Sequence, residues 1–562
     1  MPQIATMRSM LLCAMALLVS QAAVVAQEKE APKPDLLRQY LGEKDEAARK
    51  DLRAKLIALG AVELQSAISK LSFAKPNDLG ALEFETKCPD GFTRPYFMHV
   101  PPKYDAAKSY PIIVWLHGGV AGAPAEAASE AIMMWEQALG EKWSEEVMVL
   151  APAAIAGDTS EEAVWYRDAG QRNVLHMLKD ARLRFNIDDS RVFLTGMSDG
   201  GSGSFGFACR RPDTFAGYFP MVGHPLIPAM VGTPMFWENF GGSKVYAISG
   251  GKDRLYPAAM VAKLIDEANK NGASIEHKIY PEAGHDLSYA ADEMPKILDM
   301  VAKWQRELAL AEIDWSSNNT SMGRRSWLQI TELADLGDKN AKDLVATPRT
   351  GQARVMLGIT INPESEPTDP VVVESVAEGS VAESIGIEVG DTITKFDGAK
   401  TGNLMELRAA LDKKNLGDEF SVTLERGGVE KTIKGKFPTP KPMAADLMAR
   451  VKAVQKPLKA KDEKGSVHGT LFELSVTNAS KLTLYLTAEQ VKLGKAVVSI
   501  NGGEGIVFEK LAEDAETVLA EFERYGDRKS PFVAKIEINV AKQLGVKVKP
   551  LPKEEDDDGE GF

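Results

Sequence analysis

Residues 191–201 read Arg191-Val192-Phe193-Leu194-Thr195-Gly196-Met197-Ser198-Asp199-Gly200-Gly201. A short apolar run ends in glycines placed on both sides of a serine, and a helix-compatible stretch with Phe205 and Cys209 comes next. Gly-x-Ser-x-Gly alone is a weak signal, because small residues recur by chance. Between a strand and a helix it describes a turn too tight for side chains beside the serine. Such a turn lifts the hydroxyl to the carboxyl edge of a sheet, and the helix N-terminus behind it favours developing negative charge. Ser198 is the candidate nucleophile.

A serine is a poor nucleophile at neutral pH and needs a base that a carboxylate orients. In this setting the acid and the histidine come after the serine along the chain. The run Val245–Ser249 leads into Gly250-Gly251-Lys252-Asp253, and Ile275–Tyr280 leads into Pro281-Glu282-Ala283-Gly284-His285. Asp253 and His285 thus fall on loops at the carboxyl edge of the sheet, where Ser198 also sits. Asp286 beside His285 and Asp266 inside a helix are weaker acids for the role. His277 lies within a strand and reads as structural, His224 ends a strand where it could line a pocket, and His99, His176 and His468 gain no chemical role. Two backbone donors are needed for an oxyanion. One is the amide of Asp199; the other comes from His117-Gly118-Gly119 after the strand Ile112–Leu116, with Gly118, Gly119 and Val120 all open as its source.

The apolar runs Ile112–Leu116, Val147–Ala151, Val192–Thr195, Tyr218–Val222 and Val245–Ser249 alternate with helical stretches such as Val174–Phe185 and Ala258–Asn271. Continuous apolar strands between amphipathic helices imply a doubly wound, mostly parallel sheet covered on both faces. Residues 79–311 are therefore expected to form one α/β domain. Its His-Gly-Gly loop, the turn at Ser198, Asp253 and the Gly284-His285 pair resemble an α/β-hydrolase. Within that fold they resemble the esterase and poly(3-hydroxybutyrate)-depolymerase-like carboxylesterases, feruloyl-esterase types included. The resemblance implies hydrolysis of a carboxylic ester by Ser198, Asp253 and His285, with Gly118, Gly119 and Asp199 at the oxyanion hole and no cofactor. Asp199 departs from many relatives, which carry Met, Gln or a small residue there. In the segment Val120–Tyr166, Trp135, Trp165 and Tyr166 fit either a pocket wall or the core.

Residues 351–437 carry short strands with turns at Glu378-Gly379 and Asp397-Gly398 and one helix bearing Leu404, Leu407 and Leu411. Met356-Leu357-Gly358-Ile359, Gly379-Ser380-Val381-Ala382, Gly386-Ile387 and Val389-Gly390-Asp391-Thr392-Ile393 resemble a PDZ domain of the bacterial envelope-protease type. The resemblance implies a cradle for a peptide or protein C-terminus at Leu357, Gly358 and Ile359, with Leu407 lining the groove. Residues 465–545 read as a small β-rich module, with alternating Leu482, Leu484 and Leu486, a hairpin signal at Asn501-Gly502-Gly503, a helix over Asp514–Tyr525 and a strand over Val533–Val540. It resembles the β-rich domain of some exported planctomycete-type hydrolases. In that comparison Trp327-Leu328-Gln329-Ile330 is its first strand and the PDZ domain an insertion; otherwise 312–350 is a linker, as 438–464 is expected to be. Residues 27–78 form a helical lead-in expected to pack on the α/β domain after it. Its Leu52, Leu56 and Leu59 share one face and Leu64, Ile68 and Leu71 another.

The whole chain of 562 residues holds about three to five domains. With 44% apolar and 26% charged residues it is ordinary globular material. A net charge of −13 disfavours nucleic acid and anionic membranes as partners. Arg8, the apolar run Met10–Val19 and the exit Val24-Val25-Ala26 read as a secretory signal over 1–26, cleaved after Ala26, and no later stretch is apolar enough to span a bilayer. Export to a periplasm or to the medium is the resulting expectation. Beyond Cys13 in that leader only Cys88 and Cys209 remain, as a disulfide or as two small buried residues. No Cys-x-x-Cys occurs and the seven histidines are scattered, so no metal site is expected. Residues 546–562 read as an acidic solvated tail. Two other functions fit the same motifs: a prolyl-oligopeptidase-like serine peptidase, and a PDZ-based binding scaffold with a decayed hydrolase domain.

Overall fold

The structure, a computed structural model, describes residues 33–120, 124–154, 164–231, 233–337, 344, 355, 357–361, 368–376, 380–411, 413–414, 417–438, 447–462, 465–546 and 548. The expected leader with Cys13 and its cleavage point at Ala26, most of the acidic tail, Met356 and Gly379 lie outside them.

The α/β domain is framed by β1 (Gly80–Lys87), β2 (Thr93–Val100), β3 (Tyr110–Leu116), β4 (Met148–Pro152), β5 (Ile187–Met197), β6 (Gly217–Met221), β7 (Val245–Gly250) and β8 (Ile275–Tyr280). They form one sheet in the order β1-β2-β4-β3-β5-β6-β7-β8. The hairpin β1–β2 and the β2–β4 pair are antiparallel, whereas β4-β3-β5-β6-β7-β8 run parallel. Strand side chains alternate between faces, so Ile112, Val114 and Leu116 enter one core while Ile113 and Trp115 enter the other. The helices Asp199–Arg210 and Ala258–Lys270 cover the first face with Phe205, Phe207, Val261 and Ile265. The helix Ala290–Lys303 covers the second with Ile297, Leu298 and Val301. Burial on both sides is why the central strands read as continuous apolar runs.

After this domain come β9 (Glu312–Ser317), β10 (Arg324–Arg325) and β11 (Leu328–Leu333). The PDZ domain comes next, with β12 (Ile359–Thr360), β13 (Val371–Val372), β14 (Ser375–Val376), β15 (Thr392–Phe396), β16 (Ala399–Lys400), β17 (Glu419–Arg426) and β18 (Val429–Lys436) around its own core of Val371, Ile393, Phe396, Phe420 and Val422. The C-terminal strands are β19 (Ala449–Asp462), β20 (Gly465–Thr477), β21 (Ala479–Thr487), β22 (Lys495–Ile500), β23 (Ile506–Glu509) and β24 (Phe532–Asn539). They recruit the strands that precede the PDZ domain. One sheet runs β10-β11-β21-β24 and the other β23-β22-β20-β19-β9, so the PDZ domain lies in sequence between strands of a single two-sheet module.

The structure departs from two expectations. Residues 438–464 are not simply a linker, because Ala449–Asp462 is β19, paired with β9 on one side and β20 on the other. Val451 and Ala453 are buried, and the intervening lysines mask that alternation when the stretch is read for composition. The helical lead-in does not pack mainly on the α/β domain. Leu37, Leu56, Leu64 and Ile68 share a core with Leu328, Phe472, Leu519 and Phe522 of the C-terminal module, against the helix Ala515–Tyr525.

The module is fixed to the α/β domain by buried charge. Asp189, in β5, is fully buried, and its Oδ2 accepts hydrogen bonds from the Arg528 backbone N–H and Nε, both at 3.1 Å. Arg182 Nε lies 2.8 Å from Asp189 Oδ1 without hydrogen-bond alignment, a purely Coulombic contact. Arg182 Nη1 also donates to the Tyr525 carbonyl at 3.0 Å, and Arg306 pairs with Asp527 at 2.7 Å.

Candidate active site

Ser198 sits between β5 and the helix Asp199–Arg210 with φ 57° and ψ −115°, a conformation that a non-glycine residue rarely adopts. Its N–H donates to the Met221 carbonyl at 3.1 Å, and its carbonyl accepts from Ser202 N–H at 2.9 Å. The flanking glycines are a consequence of crowding. A Cβ on Gly196 would lie 2.5 Å from the Leu116 carbonyl oxygen, one on Gly200 only 1.8 Å from it, and one on Gly201 2.5 Å from the Met221 carbonyl oxygen. Strain of this kind persists only where the surroundings enforce it, here β3 and β6 closing on the turn.

The loops after β7 and β8 bring the two other polar groups to this turn. His285 Nε2 lies 2.8 Å from Ser198 Oγ, and His285 Nδ1 lies 2.8 Å from Asp253 Oδ2. With a carboxylate at Nδ1, that nitrogen carries the proton and Nε2 is left to accept from the serine hydroxyl. Asp253 is 4% exposed, and its Oδ1 accepts from the N–H groups of Leu255 and Tyr256, both at 2.8 Å. The His285 side chain is 24% exposed, so a molecule from solvent can reach the imidazole. The three sequence-selected residues form one hydrogen-bonded chain, Ser198–His285–Asp253.

The glycine loop after β3 passes directly over the serine. A Cβ on Gly118 would lie 3.1 Å from Ser198 Cβ, and Gly119 adopts φ 60°. His117 Nδ1 lies 2.9 Å from the Gly118 carbonyl oxygen, while Nε2 accepts from Ala154 N–H at 3.3 Å. The Gly118–Gly119 peptide therefore turns its C=O toward the imidazole and its N–H the opposite way. Trp165 Nε1 donates to the His117 carbonyl at 2.9 Å, with its ring edge-on to the imidazole. The Val120 N–H, one of three amides left open by the sequence, is taken by Asp199 Oδ2 at 3.1 Å.

Around this site the structure sorts residues whose roles the sequence left open. Trp135 is a core residue edge-on to Trp115, whereas Trp165 supports the glycine loop. Tyr256 packs edge-on to His285 with ring centroids 5.3 Å apart and stands 5.5 Å from the His224 ring. Its closeness to Asp253 along the chain is the only signal for it. His99 contacts Glu136, His176 contacts Thr86 and His277 contacts Ser249, all away from Ser198. Cys88 and Cys209 are both free and buried, and burial pushes their thiols up to about 11 and about 12. Neither forms the disulfide that the sequence left open.

Burial also holds His117, His176 and His277 below the ordinary imidazole value. An unfolded chain protonates these rings near pH 6.5, whereas the folded chain resists. The unfolded state then binds more protons, so stability is present above about pH 6.5 and is lost as the pH falls below it. The urea midpoint of the tryptophan-fluorescence transition should be lower at pH 5.5 than at 7.5; an equal or higher midpoint at 5.5 would contradict this.

In the PDZ domain Gly358 has φ 78°, and a Cβ there would lie 2.4 Å from Ser380 Cβ, so Leu357-Gly358-Ile359 presses against the start of the helix Val381–Ile385. Ile359 begins β12, whose partner among the described residues is β14. Leu407 departs from its expected place. It is 3% exposed and belongs to the domain core, because the helical period turns Leu404, Leu407 and Leu411 inward together.

The dienelactone hydrolase family matches residues 151–333, and the PDZ domain family matches residues 355–436. Poly(3-hydroxyalkanoate) depolymerase C of Paucimonas lemoignei is 28% identical over 180 residues, covering 28% of this chain and 41% of the relative. The chain thus spans about two fifths of the length of that curated relative. A thermostable esterase structure shares 20% identity at a TM-score of 0.33, over 40% of this chain and 63% of its own. An acylaminoacyl peptidase structure shares 14% identity at a TM-score of 0.31, over 40% of this chain and 42% of its own. No helix among the described residues is long and apolar enough to cross a membrane. The chain thus joins a region of α/β-hydrolase fold, matched by the dienelactone hydrolase family over residues 151–333, to a PDZ domain over residues 355–436.

Proposed function

We propose that the hydrolase domain is a serine carboxylesterase. The observation that carries this reading is the Ser198–His285–Asp253 chain, with 2.8 Å at each link. Ser198 Oγ attacks the ester carbonyl carbon while its proton passes to His285 Nε2. The carbonyl oxygen becomes an oxyanion held by the amides of Asp199 and Gly119, with Gly118 letting the backbone come close. His285 then gives its proton to the departing alcohol oxygen, leaving an acyl ester on Ser198. Water, deprotonated by the same imidazole, attacks that ester, and collapse returns the proton to Ser198 and releases the acid. Asp253 fixes the tautomer and stabilises the imidazolium. No cofactor enters this sequence of steps.

The PDZ domain is proposed to take a peptide or protein C-terminus at Leu357-Gly358-Ile359, with the peptide extending along β12. Export through the leader, to a periplasm or the medium, belongs to the same proposal. The test is a panel of nitrophenyl esters and nitroanilide peptides on the purified full chain, with a fluorophosphonate probe for the serine. Ester turnover and labelling at Ser198 are expected. Turnover of peptides without esters would replace the esterase reading by the peptidase one, and inertness to every substrate and to the probe would leave a binding scaffold.

A further inference from the structure

Asp199 has a second task that its backbone role does not explain. A negative side chain directly after the nucleophile stands beside the place where an oxyanion forms, and like charges oppose one another there. In the first turn of a helix an acid can serve the dipole alone, and it then needs no distant partner. Asp199 has one. Its Oδ2 accepts the Val120 N–H at 3.1 Å, from a residue in the glycine loop after β3. The amide of Asp199 belongs to the nucleophile turn, while its carboxylate grips the loop carrying Gly118 and Gly119.

We infer that Asp199 is the positioning residue of the oxyanion loop, acting through Val120, and this rests on the esterase reading above. The loop is held at two points. His117 takes the Gly118 carbonyl, and Asp199 takes the Val120 N–H, so the Gly119 amide lies between two fixed neighbours. One residue thereby ties both halves of the oxyanion hole, with its N–H as one donor and its carboxylate setting the loop that carries the other. Occupying the Val120 amide also removes it from the three candidates for the second donor. The Coulombic cost of the charge is offset by that hydrogen bond and by the helix N-terminus.

The inference separates acceptor from charge, so two variants of the full chain test it on nitrophenyl acetate. Asp199→Ala removes the acceptor and should lower kcat by about 10- to 100-fold with KM within about 3-fold, the signature of an interaction made in the transition state. Asp199→Asn keeps an oxygen that can accept from Val120 and should recover to within about 5-fold of the unmodified chain. Full kcat in Asp199→Ala, or an Asn variant as impaired as the Ala variant, would overturn the inference. A loss expressed only in KM would do the same. An unmodified chain that neither turns over the ester nor reacts with the fluorophosphonate at Ser198 marks a failure of the esterase reading itself, and the inference falls with it.

Discussion

Ser198→Ala is expected to lower kcat for nitrophenyl acetate by at least about 10⁴-fold while leaving the fold intact. The size of the loss reflects what the hydroxyl does. Without Oγ no acyl-enzyme can form, and water has to attack the ester unaided by covalent catalysis. The oxyanion amides survive the substitution, so a small residual rate above background should remain. Folding should be spared, because the Oγ partner is the partly exposed His285 and the backbone N–H and C=O of residue 198 keep their bonds to Met221 and Ser202. His285→Ala should cost a comparable factor, and the double variant little more than either alone, because the residues act as one unit. Circular dichroism and the urea midpoint check the fold, and burst kinetics check the acyl-enzyme. If Ser198→Ala retained more than about one tenth of the rate, the serine mechanism would be untenable, since Ser198 is the hydroxyl that His285 is placed to activate.

Much of this site is legible in the sequence because each component leaves a local mark. Gly196, Gly200 and Gly201 are imposed by carbonyl oxygens of β3 and β6, and a glycine shows plainly in a sequence. Asp253 follows the fully buried strand β7 and His285 the half-exposed edge strand β8, and parallel topology brings the ends of both strands to one edge. What stays hidden depends on which surface meets which. Leu56 and Ile68 announce apolar helix faces, yet their partner Phe522 lies far along the chain, and periodicity does not name a partner. The pairing of β9 with β19 across the PDZ domain is of the same kind, since alternation marks a strand without marking its neighbour. For Asp199 the sequence suggests an amide donor, while the reach of its carboxylate to Val120 depends on how the two loops fold back on each other. Leu407 shows the opposite error: a family pattern puts it in a groove, and its helical spacing from Leu404 and Leu411 argues for the core.

The β-rich module should be a structural part of the hydrolase, and Asp189→Ala should show it by lowering stability by about 3–5 kcal/mol. The carboxylate is fully buried beside Arg182 and Arg528, and removing it leaves the buried Arg182 guanidinium without its 2.8 Å neighbour and Arg528 without two hydrogen-bond acceptor contacts. Burial itself pushes the Asp189 carboxyl up, against the pull of Arg182 and Arg528, so desolvation weighs heavily in this cluster. For that reason a compensated change should do less harm than a single one. Arg182→Met combined with Asp189→Leu removes both ends of the contact, leaves Arg528 its bond to Asn186 Oδ1 at 3.0 Å, and should recover most of the lost stability. Asp189 and Ser198 stand toward opposite ends of β5, about 20 Å apart at strand rise, because Ile187–Val192 bulges and advances only from Tyr110 to Ile112 along β3. In folded Asp189→Ala protein, kcat should therefore stay within about 3-fold of the unmodified chain while the urea midpoint drops sharply. A midpoint unchanged by Asp189→Ala would mean that the buried cluster does not hold the two units together. A kcat loss as large as that of Ser198→Ala would mean that the β5 end far from the serine shapes the site directly. The expected split, stability lost and turnover kept, assigns the module to holding the sheet on which Ser198 is mounted.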